Sequence, residues 1–165
     1  MPILIINHKG KAYKCLYDKR DEALISHFRW CLNSNGYAVT YQNGKTILMH
    51  RLIMGVLDHP EIEVDHQFHC RLDNRRSRIR LCTHGQNKQN SRKLKLGTSQ
   101  YKGVYLDQNR WHAQIGQGDK VKNLGRYRTE QTAARIYDNA ARTFFQDFAL
   151  CNFPEAEYQS TIPGF

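Results

Sequence analysis

The chain has 165 residues, 40% of them hydrophobic, which suits one large domain or two small ones and excludes wholesale disorder. Its net charge of +10 is uneven: residues 71–102 hold ten Lys and Arg against a single acid, Asp73. Aromatic and amide side chains sit among those cations, so a nucleic-acid polyanion is the expected partner, and no basic amphipathic helix with a broad apolar face argues for a membrane surface.

The apolar opening, Ile3 to Ile6, is too short for a signal-peptide core or a membrane span. Asn43-Gly44 lies between YAVTYQ and KTILM, both rich in strand formers, and predicts a tight hairpin. HRLIMGVL then predicts a short helix that stops before Pro60. EIEVDH reads as a strand by its Ile62/Val64 alternation, and RIRLC (78–82) as a second after a polar loop. Thr83 and Gln86 form a capping box that opens a helix expected over 84–95, with hardly an apolar side chain beyond Leu94.

Residues 96–99 read as a linker. Beyond them YKGVYLD, RWHAQIG and VKNLGRY predict three short strands, with turns at Gln108-Asn109 and Gln117-Gly118-Asp119. A helix follows from its N-cap Thr129 to about Gln146, with an apolar stripe through Ala133, Tyr137, Ala140 and Phe144. Residues 155–165 read as a loose tail. The five cysteines are odd in number and share no CxxC spacing, which speaks against a disulfide framework or a Cys-rich zinc knuckle and for a reducing compartment. The whole reads as an α+β chain: a β-rich start, a strand–loop–strand–helix unit, then a three-stranded antiparallel sheet packed on one helix.

The chemistry centres on Asp65-His66 and on Asn87, 21 residues beyond that imidazole. A carboxylate and an amide oxygen can hold a hard divalent ion, and an imidazole can take a proton from water near neutral pH. Neighbours in a regular strand face opposite ways, so Asp65 and His66 share one phosphate only if the strand ends or bulges there.

The stretch VDHxxxxRLDNRRSRIRLCTHGQNKQN resembles the HNH nucleases of the homing-endonuclease branch, and the likeness covers about 27–95. It implies a ββα-metal motif at about 61–95 within a nuclease domain over 1–95. By position, Asp65 and Asn87 would bind one Mg2+ or Mn2+ and His66 would be the general base. Two positions depart from the family pattern: Arg78 stands where the middle Asn braces the loop, and Phe68-His69 replaces its Asn-Gly turn. Asn74 is a candidate to brace the loop instead, His69 and His84 are candidate auxiliary groups, and His50 reads as structural.

The segment TSQYKGVYLDQNRWHAQIG…NLGRYRTEQTAARIYDNAARTFFQDFALCNFP resembles the plant ethylene-response-factor (APETALA-type) DNA-binding domain over about 98–154, with the domain itself expected at 100–154. That family lays its sheet in a DNA major groove, which implies Lys102, Tyr105, Gln114, Lys122 and Asn123 as DNA contacts, with His112 beside them. Trp111 reads as a core anchor under the helix. The arginine-rich pattern is thinned, with Tyr105 where Arg is usual and Gln114 where Glu is usual. Arg75, Arg76, Arg80, Lys88, Arg92 and Lys93 are expected to grip backbone phosphates.

The resemblances together imply a metal-dependent endonuclease of mobile-element type that nicks double-stranded DNA as a monomer. It would take no small-molecule substrate and would act in a cytoplasm, of a phage host or another prokaryote, or in another reducing compartment that holds DNA. The alternative is a non-catalytic DNA-binding regulator with a degenerate nuclease motif; an RNA-directed protein is a third reading.

Overall fold

The computed structural model describes residues 2–93, 97–118 and 120–154. The chain forms two compact units, Met1–Asn87 and Lys88–Phe165, so the division falls within a helix rather than at the expected linker.

The first unit opens on a hairpin of β1 (Ile3–His8) and β2 (Lys11–Leu16), paired from Ile3↔Leu16 to His8↔Lys11. Lys9 and Gly10 turn it with φ of 48° and 77°, the left-handed pair that matches the twist of the strands. After a one-turn helix, α1 (Glu22–Ser26), come β3 (Cys31–Leu32), β4 (Ala38–Gln42) and β5 (Lys45–Leu48), a three-stranded antiparallel sheet in that order. Asn43 and Gly44 make the expected turn, with φ of 50° and 74°.

The short helix α2 (Met49–Met54) ends at Gly55, whose positive φ of 71° lets its N–H reach back to the Arg51 and Leu52 carbonyls. Arg51 then fixes the path onward. Its guanidinium donates to the carbonyls of Val56, His59 and Ile62, the last at 2.6 Å, and so sets where the next strand begins. That strand is β6 (Glu63–His66), paired antiparallel with β7 (Ile79–Cys82), and α3 (His84–Asn90) follows directly. The helix stops at Asn90, short of the expected 95; residues 94–96, with Leu94, lie outside the described residues. One core joins these pieces: Ile6 and Cys15 of the first hairpin, Ile25, Leu32, Met49 and Ile53, with Val64 and Ile79 of the second hairpin.

In the second unit β8 (Val104–Asp107), β9 (Arg110–Gln117) and β10 (Lys120–Tyr127) form an antiparallel sheet in the order β10-β9-β8. Thr129 caps α4 (Glu130–Phe145) by accepting the Thr132 N–H, as its sequence predicts. Alanines let the helix lie close: Ala113 and Val104 meet Ala133 and Ala134, and Ile115 meets Tyr137, Ala141 and Phe145. Trp111 packs into the same layer as a core anchor. Gly103, at φ 75°, lies so near the Tyr137 ring that a β-carbon would overlap it. Asp138, 0% exposed, accepts the Asn152 and Phe153 N–H groups, and Asn152 in turn bonds both main-chain groups of Lys102. Thr98 and Ser99 of the expected linker are tied into this unit, Ser99 donating to Glu130 at 2.7 Å. The expected tail, 155–165, lies outside the described residues, as does Asp119 of the second turn. Among the described residues no helix is long and apolar enough to cross a membrane.

Candidate functional site

The β6–β7 hairpin runs without a bulge, Glu63↔Cys82, Val64↔Leu81, Asp65↔Arg80, His66↔Ile79. Alternation therefore sorts its side chains into two faces: Glu63, Asp65, Arg80 and Cys82 on one, Val64, His66 and Ile79 on the other. Val64 and Ile79 belong to the core, so the second face is the inner one.

The capping box forms as its residues predict, with Gln86 N–H on Thr83 Oγ1 at 3.2 Å and Thr83 N–H on Gln86 Oε1 at 2.9 Å. It starts α3 at the end of β7 and turns its first residues over the Glu63/Asp65 face. There Asn87 Nδ2 donates to Glu63 Oε2 at 2.5 Å, and His84 Nδ1 lies 2.7 Å from Glu63 Oε1. The Asn87 bond, then the His84 contact, hold the Glu63 carboxyl below its usual range against the opposing effect of burial. Asp65 accepts from Arg80 Nε at 2.9 Å and Nη2 at 2.8 Å. Burial, and then the Asp65 and Glu63 carboxylates, push the Cys82 thiol up to about 11, so it stays protonated near neutral pH.

His66 turns the other way. It is 6% exposed, with its ring 5.0 Å from His50 and 5.7 Å from Tyr37. Its Nε2 lies 3.2 Å from Oδ1 of Asn74, a side chain that is 0% exposed. Asn74 Nδ2 faces Cys15 Sγ at 3.2 Å and Met49 Sδ at 3.5 Å, and its main-chain N–H donates to Leu16. Burial lowers the His66 imidazole below its usual value, with the Asn74 bond and the Asp65 charge opposing. His50 is pushed further, to about 3, by burial and the neighbouring His66. Arg78, in the place of the family's middle Asn, is exposed with its guanidinium 4.8 Å from the Phe68 ring centre. Its carbonyl closes the loop by accepting the Gln67 N–H at 3.0 Å. Of the three residues expected to act together, the hairpin thus gathers Asp65 and Asn87 on one face and sets His66 on the other.

Among the described residues no cluster of three His, Cys, Asp or Glu side chains is placed to hold a metal ion. The donors on the α3 face are oxygen: the Asp65 carboxylate, and the Asn87 amide oxygen, which points away from Glu63 because the amide nitrogen faces it. Such a set fits a hard ion such as Mg2+, with Arg80 as the competitor for Asp65.

Several expected phosphate contacts are engaged by carboxylates. Arg75 Nε bonds Asp73 at 2.7 Å, Arg76 bonds Asp21 at 2.8 Å, and Arg80 bonds Asp65. Lys88 and Arg92 are exposed and Lys93 is half-buried. On the sheet, the face away from α4 carries Tyr105, His112, Gln114 and Asn123, with Tyr105 stacked on His112 at 4.9 Å. Two expectations change. Lys122 pairs with Ile115 and so lies on the helix side, its ammonium 4.8 Å from the Phe144 ring centre. Lys102 precedes β8 and donates to the carbonyls of Gln89 and Ser91 at 2.5 and 2.7 Å; burial brings its ammonium down to about 8. In their place Arg110 and Arg126, paired with Asp107 and His112, share the outward face. Alternation counted from an inward Trp111 points to Arg110; Arg126 needs the bulge between Asn123 and Gly125.

No family model and no solved structure matches the chain. An uncharacterized HNH endonuclease of Acanthamoeba polyphaga mimivirus is 33% identical over 134 residues, covering 78% of this chain and 69% of that protein. Two plant proteins match a shorter part. APETALA2-like protein 2 of Oryza sativa is 45% identical over 65 residues, and the ethylene-responsive transcription factor WRI1 of Arabidopsis thaliana 39% over 66. Each match covers 38% of this chain and 15% of the plant protein. The chain belongs to the HNH endonuclease family.

Proposed function

We propose that the protein is a metal-dependent endonuclease of homing or mobile-element type that nicks double-stranded DNA as a monomer, in a cytoplasm or another reducing compartment that holds DNA. Residues 1–95 form the nuclease in this reading, with a ββα-metal motif that runs from about 61 to the end of α3 at Asn90. Residues 100–154 form a reader that resembles the ethylene-response-factor domain and uses Tyr105, Gln114, Asn123, Arg110 and Arg126. The observation that carries this reading is the Asn87–Glu63 bond at 2.5 Å, which brings the amide to the face that Asp65 occupies, in a chain of this family.

Asp65 and Asn87 would hold one Mg2+ or Mn2+. When bound, the ion supplies positive charge to the scissile phosphate and lowers the pKa of its water. His66, kept neutral by burial, is the base in this reading. To meet water on the Asp65 side its ring must leave the packing with Tyr37 and His50, because the pleat holds it opposite. Lys88 and Arg92 offer charge to the DNA backbone.

The test is supercoiled plasmid incubated with magnesium or with chelator. The reading expects magnesium-dependent nicking that disappears in Asp65→Ala and Asn87→Ala while DNA binding persists. A non-catalytic DNA-binding regulator is the second reading, favoured by the Arg80–Asp65 ion pair and by the inward turn of His66. Tight binding with no cutting in either ion would establish it.

A further inference from the structure

The imidazole held on the Asp65/Asn87 face through Glu63 is His84, not His66. His84, the first residue of α3, is held by Glu63 through Nδ1 at 2.7 Å, and its side chain is 70% exposed. Glu63 stands two residues before Asp65 on the same strand face, and Asn87 bonds its other oxygen. One carboxylate therefore orients both His84 and Asn87 of α3.

A carboxylate on Nδ1 fixes the ring's orientation and requires the proton there. The second nitrogen, Nε2, then lies across the ring from Glu63 and carries a donor N–H when the ring is an imidazolium. We propose that His84 is the general acid of the reaction: a residue that gives a proton from Nε2 to the oxygen leaving the scissile phosphate, with Glu63 as its positioning residue. The inference rests on the endonuclease reading above.

The step balances as follows. The water oxygen forms its bond to phosphorus and the phosphorus–oxygen bond to the leaving strand breaks, the electron pair staying on that oxygen. The leaving oxygen takes the Nε2 proton of His84, and the attacking water gives its proton to the base. Solvent then restores both rings. His66 and His84 thus divide the work by environment, one neutral in the core and one paired with a carboxylate at the surface.

The test uses the full chain and a DNA duplex with one nick site, in two forms: the ordinary phosphodiester, and substrates in which sulfur replaces either bridging oxygen at that site. A sulfur leaving group departs without protonation, so it removes the need for an acid. His84→Ala and His84→Gln should each cut the ordinary substrate about 10²-fold more slowly than the parent, the size of a general-acid contribution. On whichever sulfur substrate carries the leaving position, both should come within about threefold of the parent, because nothing is left for the acid to do. Asp65→Ala should stay slow on every substrate. Parent-like rates for the His84 variants on the ordinary substrate would overturn the assignment and leave the endonuclease reading intact. Slow cutting of both sulfur substrates by those variants would also overturn it, as a merely structural loss. A parent that cuts no substrate would overturn both.

Discussion

Asp65 and His66 are adjacent in sequence and opposed in space: Asp65 meets Arg80 across the hairpin at 2.8 Å, while His66 meets Asn74 beneath it at 3.2 Å. The unbroken register of the hairpin produces this opposition, and each side has a measurable consequence.

Arg80→Ala removes the guanidinium from a buried carboxylate. Breaking one partner of a buried ion pair costs about 3–5 kcal/mol when the other charge is left behind, and somewhat less here because Arg80 retains some exposure. The divalent ion proposed at Asp65 would replace that positive charge. Thermal denaturation should show a clear loss in chelator that millimolar magnesium partly restores; an identical melting temperature in both conditions would remove Asp65 from the proposed ligand set.

Acid should destabilise the first unit through its inner histidines. His50 is lowered from 6.5 to about 3, and His66 is lowered as well, so the unfolded chain binds these protons more readily than the folded one. Their contribution is fully present above about pH 6.5 and is lost as pH falls towards the folded value, amounting on the order of a few kcal/mol. Urea titrations of the parent and of His50→Phe across pH 4–7 measure it; the variant should lose part of the slope.

Gly103→Ala should unfold the second unit at lower temperature. The residue sits at φ 75° and a methyl group there meets the Tyr137 ring, so strain and overpacking add to about 2–4 kcal/mol. Calorimetry should resolve a falling transition for this unit and an unchanged one for the first.

Arg126→Ala and Lys102→Ala should part ways in DNA binding. Arg126 is exposed on the outward face and free to meet a phosphate or base, so its loss should lower the salt dependence of affinity by about one unit of slope. Lys102 is occupied by two carbonyls, and its loss should lower stability while leaving that slope unchanged. Fluorescence anisotropy at several salt concentrations separates the two; a reduced slope for Lys102→Ala would return it to the interface.

Local chemistry made much of the fold legible. Asn43-Gly44, Thr83 with Gln86, Gln108-Asn109 and Thr129 each name a turn or cap whose geometry depends on their own side chains or φ values, and each forms. What escaped depends on distant partners. Nothing in KAYKCL says that Cys15 will lie under Asn74, and the direction of His66 is fixed only once the register of β6 on β7 is known. Lys102 and Lys122 read as free cations because the carbonyls and the ring that receive them lie far along the chain. The acid pair of His84 was hidden for the same reason, since Glu63 is 21 residues away.

A single parallel bridge ties the end of the opening hairpin to the loop at Asp73: Leu16 donates to Leu72, Asn74 donates back to Leu16, and Leu16 bridges Asp73. Residues 2–16 are therefore the floor on which the loop between β6 and β7 is laid. A fragment trimmed to the borders of the recognisable motif would keep the proposed ligands and drop that floor, so on the proposed reading it should bind magnesium more loosely and nick more slowly than the full chain.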